Sequence, residues 1–300
     1  MAIPSKTHTG ARAQSSRPLI FTDLDGSLLD HYTYQWTPAA ELLNDLKTAN
    51  VPIIPVTSKT CAEVLSLRSE LDNQHPFVTE NGAAIYIPQD YFPNQPRECQ
   101  QKNDFWVVEK SRPRDHWVAL LEKLSDEFSG SYQSFYQTGV EGIIEMTGLS
   151  ENAAWAANQR EYSEPVAWLG SDEKKQAFIT KLQALGAHVL QGGRFLSISD
   201  NCNKGIAVRW LQDEFARQNK STQFLSLAIG DNQNDIAMLE SADHALIIRS
   251  PTHSPPALTR TKGVTYSRSE GPVGWQQGVS EWLATHFKQS GPFGNSYTIR

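Results

Sequence analysis

The chain's 300 residues suffice for one large or two modest domains, and 39% hydrophobic with 20% charged residues is the composition of a globular protein with a real core. A formal net charge of −6 leaves no basic surplus to neutralise a nucleic-acid backbone, and no run of about 18 apolar residues offers a membrane span. Cys61, Cys99 and Cys202 are widely spaced without metal-ligand spacing, which suits a reducing cytoplasm better than a disulfide framework.

Residues 1–16 are polar, carry no secretory apolar segment and are expected to be a loose tail. "PLIFT" (18–22) predicts a buried strand, and residues 37–50 a helix with Thr37 as N-cap and Pro38 at the first helical position. A second strand follows over 51–57, a second helix over 59–71, and "PFVTENGAAIYI" (76–87) gives strand, turn and strand. The Pro- and Gln-rich stretch after residue 87 is expected to be loop. Beyond it come the strand "FWVVEK", the helices "RDHWVALLEKLSDEF" and "ENAAWAANQREY", the strand "PVAWL", the helix "DEKKQAFITKLQALG" and the strand "AHVLQGG". "FLSISDN" (195–201) then leads into a helix over 204–218, whose Ala207, Trp210, Leu211 and Phe215 keep helical spacing. A strand ending at Asp231, a helix over 234–242 and a strand over 244–249 follow, and 288–300 reads as a flexible tail.

Apolar strands alternating with amphipathic helices predict an α/β fold with a doubly wound parallel sheet. Its core is expected from 17–85 and 195–287, with an α/β module inserted over 86–194.

The chemistry-bearing residues each follow a strand, where open parallel sheets place their ligands. Asp23 and Asp25 follow the first strand, Thr57 and Ser58 the second, and Asp231 the one beginning at Phe224, while Lys204 opens a helix. Neighbouring carboxylates repel unless a cation or shared proton separates them, so "DLD" signals a metal, divided acid/base labour or a plain turn. Three acids suit Mg²⁺, a hard cation that prefers oxygen. A lysine and a hydroxyl beside them supply the charge neutralisation that phosphoryl transfer needs. One carboxylate can attack phosphorus while the other, two residues on and facing the same side of an extended chain, handles protons.

The four segments "DLDGSLLD", "PVTSKT", "NKGIAVRWL" and "GDNQNDIAML" together resemble the ordered motifs of the haloacid dehalogenase (HAD) superfamily of phosphatases. "TENGAAI" and "REYSEP", with the first two motifs, are similar to its mannosyl-3-phosphoglycerate phosphatase family. The resemblance implies a Rossmann-like core with a mobile cap as the insertion. It implies Asp23 as nucleophile, Asp25 as acid/base, Thr57 as phosphate ligand and Lys204 as charge stabiliser. Mg²⁺ would be held by Asp23, the Asp25 backbone carbonyl and Asp231, supported from behind by Asn232, Asn234 and Asp235. Ser58 and Lys59 replace the frequent Gly-Arg of the superfamily, which favours the mannosyl-phosphoglycerate branch and an anionic substrate.

Glu80, Asn81 and Gly82 are candidates for the sugar end of that substrate, against a plain Asn-Gly turn. Arg160, Glu164 and Arg194 are candidates within the insertion, Arg194 foremost, because a guanidinium suits carboxylate or phosphate. His31 reads as a loop histidine. The implied activity is Mg²⁺-dependent hydrolysis of a small phosphorylated sugar or glycerate in the cytoplasm, without nucleic acid or membrane partners. Hydrolysis or mutase chemistry on another sugar phosphate, such as glucosyl-3-phosphoglycerate or a hexose phosphate, and a non-enzymatic phospho-acceptor module are the alternatives.

Overall fold

The computed structural model describes residues 16–192 and 194–287. The expected tails, 1–16 and 288–300, lie outside the described residues except for Ser16. Strand β1 (Arg17–Thr22) is apolar on both faces and buried from Pro18 onward, as a central parallel strand must be. A 3₁₀ turn over Thr37–Ala39 then leads into α1 (Ala40–Thr48). Thr37 is not the predicted N-cap: it is already inside that turn, with Trp36 ahead of it and no capping side chain. Next come β2 (Ile53–Pro55) and α2 (Cys61–Glu70). Helix α2 starts sharply because Thr60 and Glu63 cap each other's backbone N–H.

Strands β3 (Phe77–Thr79), β4 (Ala84–Pro88), β5 (Gln100–Lys102) and β6 (Phe105–Glu109) form an antiparallel sheet in the order β3-β4-β6-β5. A parallel bridge from Val56 to Val78 joins it to the edge of β2.

The chain continues through α3 (Arg114–Leu124), β7 (Tyr132–Ser134), α4 (Phe135–Thr147), α5 (Glu151–Asn158), β8 (Glu164–Trp168), α6 (Asp172–Ala184), β9 (His188–Gln191) and β10 (Leu196–Ser199). These make a second antiparallel sheet, β7-β8-β10-β9, with its own core around Trp117, Leu121, Val166, Phe178 and Ile198. The final stretch holds α7 (Lys204–Gln218), β11 (Phe224–Gly230), α8 (Ile236–Ser241), β12 (His244–Arg249), β13 (Val264–Glu270) and α9 (Gly271–His286).

The five parallel strands run β13-β12-β11-β1-β2, the doubly wound α/β arrangement anticipated from the alternation of elements. The chain winds one way from β1 to β2 and the other from β11 to β13. The switch point therefore falls between β1 and β11, whose carboxyl ends form the crevice for ligands. Among the described residues no helix is long and apolar enough to cross a membrane.

Pairing moves both expected junctions. The one at 85/86 falls inside β4, which stays with β3 and β6 beside the core. The one at 194/195 precedes β10, which pairs with β8 and β9 in the inserted sheet rather than with the parallel one. The two crossings instead lie side by side. Asp200 accepts from the Arg112 backbone N–H at 2.7 Å and from its guanidinium, and the Asp200 N–H donates to Ser111 Oγ at 3.1 Å.

Candidate active site

Two adjacent strands of the parallel sheet deliver the acids. Asp23 follows β1 and is held by its N–H donating to the Ile229 carbonyl of β11 at 2.8 Å. Asp231 follows β11 and turns into a 3₁₀ segment, Gln233–Asp235. Within that turn the Asp235 carboxylate bends back to accept from the N–H groups of Asp231 and Asn232, both at 3.0 Å. Its other oxygen lies 2.6 Å from Lys204 Nζ, and Asp23 Oδ1 lies 2.5 Å from the same nitrogen.

Lys204 opens α7 with no exposed surface, and burying an ammonium demands such pairing. Burial alone would lower its pKa, but Asp23 and Asp235 outweigh that and raise it. Burial, followed by the charge of Asp235, drives the Asp23 carboxyl well above the ordinary range against the pull of Lys204. The same causes push Asp231 up to about 7. Both acids are therefore short of positive charge.

Asp23, Asp231 and Asp235 are all buried and offer oxygens within 4.8 Å of one another. An oxygen-only donor set of this kind fits a hard divalent cation. The two oxygens of Asp235 are already committed, one to Lys204 and one to backbone N–H groups, which leaves Asp23 and Asp231 as the open carboxylates.

Asp25 stands beside them. Its Oδ1 is buried with no partner, and its Oδ2 faces Lys59 Nζ at 3.0 Å. Gly26 follows with φ +81°, and a Cβ there would stand 2.7 Å from Asp231 Oδ2, so glycine alone lets this turn close on the acids. Lys59 also pairs with Glu63 at 3.5 Å, and Asp25 and Glu63 raise its pKa against the effect of burial. Thr57 is buried, with its hydroxyl accepting from the Lys59 N–H at 3.2 Å. Ser58 turns its carbonyl to Arg160 Nη1 at 2.8 Å.

The residues proposed for the sugar end divide. The Glu80 carboxylate is buried and spent, accepting from the N–H groups of Glu161, Tyr162 and Ser163 and from Ser163 Oγ at 2.6–3.2 Å. It ties the β3–β4 turn to the insertion instead of facing a cleft. Gly82, at φ +97°, packs on the start of α7, where a Cβ would stand 2.3 Å from the Asn203 carbonyl oxygen. Asn81 accepts from Asn234 Nδ2 at 3.0 Å, joining that turn to the acidic one.

Glu164 is likewise closed off, held by Arg114 Nε at 2.5 Å and the Tyr136 N–H at 2.7 Å. Arg194 is exposed and donates to the Thr147 carbonyl at 3.3 Å; nothing described brings it to the acids. Arg160 does reach the core, with its side chain 9% exposed and Nε buried without a partner.

Two contacts had no signal in the sequence. His253 Nε2, from the loop after β12, lies 3.2 Å from Asp231 Oδ2. Trp275 of α9 donates to Thr22 Oγ1 at 3.0 Å, and that hydroxyl donates to the Asp23 carbonyl at 2.7 Å, bracing the acid from beneath. Both residues lie beyond every recognisable motif, and only the packing of the last elements brings them in.

The known proteins similar to this chain agree with the geometry. The haloacid dehalogenase-like hydrolase profile matches residues 20–147 and 150–273. A glucosyl-3-phosphoglycerate/mannosyl-3-phosphoglycerate phosphatase from Methanococcoides burtonii is 34% identical over 267 residues, covering 88% of this chain and 97% of its own. A phosphatase of the haloalkanoate (HAD) superfamily from Bacteroides thetaiotaomicron shares the fold with a TM-score of 0.62 at 15% identity, covering 94% of this chain and 99% of its own. The sucrose-phosphatase of Synechocystis sp. PCC6803, solved with sucrose and phosphate, aligns with a TM-score of 0.57 at 14% identity over 90% of this chain and 98% of its own. With most of its length matched by that profile, the chain belongs to the haloacid dehalogenase-like hydrolase family.

Proposed function

We propose that the protein is a Mg²⁺-dependent phosphomonoesterase of the cytoplasm that hydrolyses glycosyl-3-phosphoglycerates, mannosyl- or glucosyl-, to the glycosylglycerate and phosphate. The observation that carries this reading is Lys204 clamped between Asp23 and Asp235, with Asp231 alongside and Asp25 holding a free oxygen. Three segments distant in sequence thus converge on one crevice with the groups that phosphoryl transfer uses.

Asp23 attacks phosphorus as the ester's P–O bond breaks, giving an aspartyl-phosphate. Asp25 protonates the departing alkoxide, then takes a proton from the water that attacks the same phosphorus. Phosphate leaves and the Asp23 carboxylate is restored. Thr57 donates its hydroxyl to a phosphoryl oxygen, and Lys204 neutralises charge on Asp23 and on the phosphoryl group. The Asp23 and Asp231 carboxylates and the Asp25 backbone carbonyl would hold Mg²⁺, which would supply the positive charge that lets a dianion approach three acids. Asp235 fixes Lys204 and the Asp231 turn, with Asn232 and Asn234 shaping it.

The antiparallel module from about residue 111 to 200 is the cap. Its α5 meets the core where Thr60 Oγ1 donates to the Ala156 carbonyl at 2.9 Å, and β9 lies against Gln233–Asp235, so it covers the crevice and excludes water. The substrate class rests on the M. burtonii relative, and Lys59 and Arg160, which lie beside Thr57 and Ser58, are the cations that would meet a glycerate carboxylate. Arg194 is a cap residue open to that carboxylate only if the β9–β10 hairpin carries it inward.

Phosphate release from mannosyl- and glucosyl-3-phosphoglycerate and from hexose phosphates, with and without Mg²⁺, tests this. We expect kcat/KM for one glycosyl-3-phosphoglycerate to exceed that for any hexose phosphate by about 10-fold or more, only with the metal present. A preference for hexose phosphates overturns the substrate; turnover undiminished in Asp23→Asn overturns the mechanism.

A further inference from the structure

The turn after the first motif holds an aromatic side chain in a conformation that aromatic residues avoid. Tyr34 has φ +57°, and among the described residues it is the one aromatic with a positive φ. A bulky residue is strained there, so its neighbours must impose the shape. They do. Asp30 Oδ1 accepts from the N–H groups of Tyr32 and Thr33 and from Thr33 Oγ1 at 2.8–3.0 Å. The Asp30 N–H donates to the Gln35 carbonyl, and the Tyr34 N–H to the Asp30 carbonyl. Trp36 anchors the far end against the core.

The result is a tyrosine 40% exposed with Lys59 Nζ 5.3 Å from its ring centroid, and that ammonium is the one 3.0 Å from Asp25 Oδ2. Lys59 lies over the ring, and the part of the residue open to solvent carries no charge.

Position decides what meets it. In the reaction above Asp25 protonates the leaving oxygen, so groups next to Asp25 face the leaving group and not the phosphate. The face of an aromatic ring repels an anion, but it packs well on the C–H face of a hexose. We propose that Tyr34 is a specificity-determining residue, stacking the glycosyl ring of the leaving group beside Asp25 while Lys59 meets its carboxylate. This deepens the substrate reading and rests on it.

The test is calorimetric, on proteins carrying Asp23→Asn so that substrate survives, with Mg²⁺ present and two probes: glucosyl-3-phosphoglycerate and the sugar-free 3-phosphoglycerate. Tyr34→Asn removes the ring yet suits the left-handed backbone, Tyr34→Ala removes it without that benefit, and Tyr34→Phe keeps the stacking face. We expect both ring-deleting variants to weaken binding of the glucosylated ester about 10-fold, to change binding of 3-phosphoglycerate by less than about 2-fold, and Tyr34→Phe to behave as the parent.

Equal weakening of both probes overturns the proposal and makes Tyr34 a support for Lys59. No change in either also overturns it. If the wild-type enzyme prefers another sugar phosphate, the substrate reading falls alone; the same variants titrated with that ester and with inorganic phosphate then decide the stacking contact by the same difference.

Discussion

Lys204 Nζ stands 2.6 Å from Asp235 Oδ1 with neither side chain exposed to solvent. A buried pair of this kind is costly to break, because removing one member strands the other in a medium that cannot solvate it. Lys204→Met should cost about 3–5 kcal/mol in urea unfolding, and Asp235→Ala a similar amount. The double variant should cost clearly less than the sum, which a double-mutant cycle will read directly.

Asp23 shows a conflict between stability and chemistry. Its carboxyl is held above the ordinary range by burial and by Asp235, so ionising it costs the metal-free protein stability as pH rises from the unfolded value toward the folded one. Asp23→Asn should abolish phosphate release, by roughly 10³-fold or more, and should make the melting temperature of the metal-free protein fall less steeply as pH rises. A variant whose melting temperature falls with pH as steeply as that of the wild type contradicts this account of the cluster.

Metal binding should depend on pH in the opposite direction, strengthening as pH rises. The Asp231 carboxyl titrates at about 7 without a cation because of burial and Asp235, and a cation requires it ionised. The rise in melting temperature on adding Mg²⁺ should therefore grow from pH 6 to pH 8. It should vanish in Asp231→Asn at both values.

Away from the site, His75 sets an acid limit. Its Nδ1 lies 2.9 Å from Tyr91 Oη and Arg68 donates to its carbonyl. Burial, then the Arg68 charge, lowers its pKa from 6.5 to about 4. The unfolded chain gains a proton near the higher value and the folded chain only near the lower. The stability is complete above the higher value and drains away as pH falls between the two. Between pH 8 and pH 5 the loss from this residue should be about 2 kcal/mol, seen as the difference between wild type and His75→Gln in urea unfolding.

Glu80 is expected to matter for coupling. Glu80→Ala strips the acceptor from four donors at residues 161–163, and should cost about 2–4 kcal/mol. Amide exchange at 161–163 should accelerate in that variant more than exchange in β1 or β11.

Much of this architecture was written locally. Strands such as "PLIFT" and "FLSLAIG" are apolar on both faces, so their burial in a parallel sheet follows from composition alone, and the acids that close them mark the crevice. Helix α4 was illegible because Gly139, at φ +63°, kinks it and Gly142 dilutes its pattern. Strand β13 was missed for the opposite reason: it is a half-exposed edge strand, "VTYSRSE", with no apolar run to announce it. Glu80 and Glu164 misled because an acid near a motif looks available for ligand until the structure shows which backbone and guanidinium donors consume it. The reach of Trp275 to Thr22 spans 253 residues, and His253 meets Asp231 only because the loop after β12 folds back over the end of β11; no local pattern encodes either contact.

The Arg112–Asp200 ion pair, with Ser111 beside it, has a mechanical meaning. Riveting the exit and return of an insert together leaves it a single pivot, as a door has a single pin, and resists twisting. Cutting that rivet should let the two leads slide past each other, turning a defined swing into a loose wobble with no fixed closed stop.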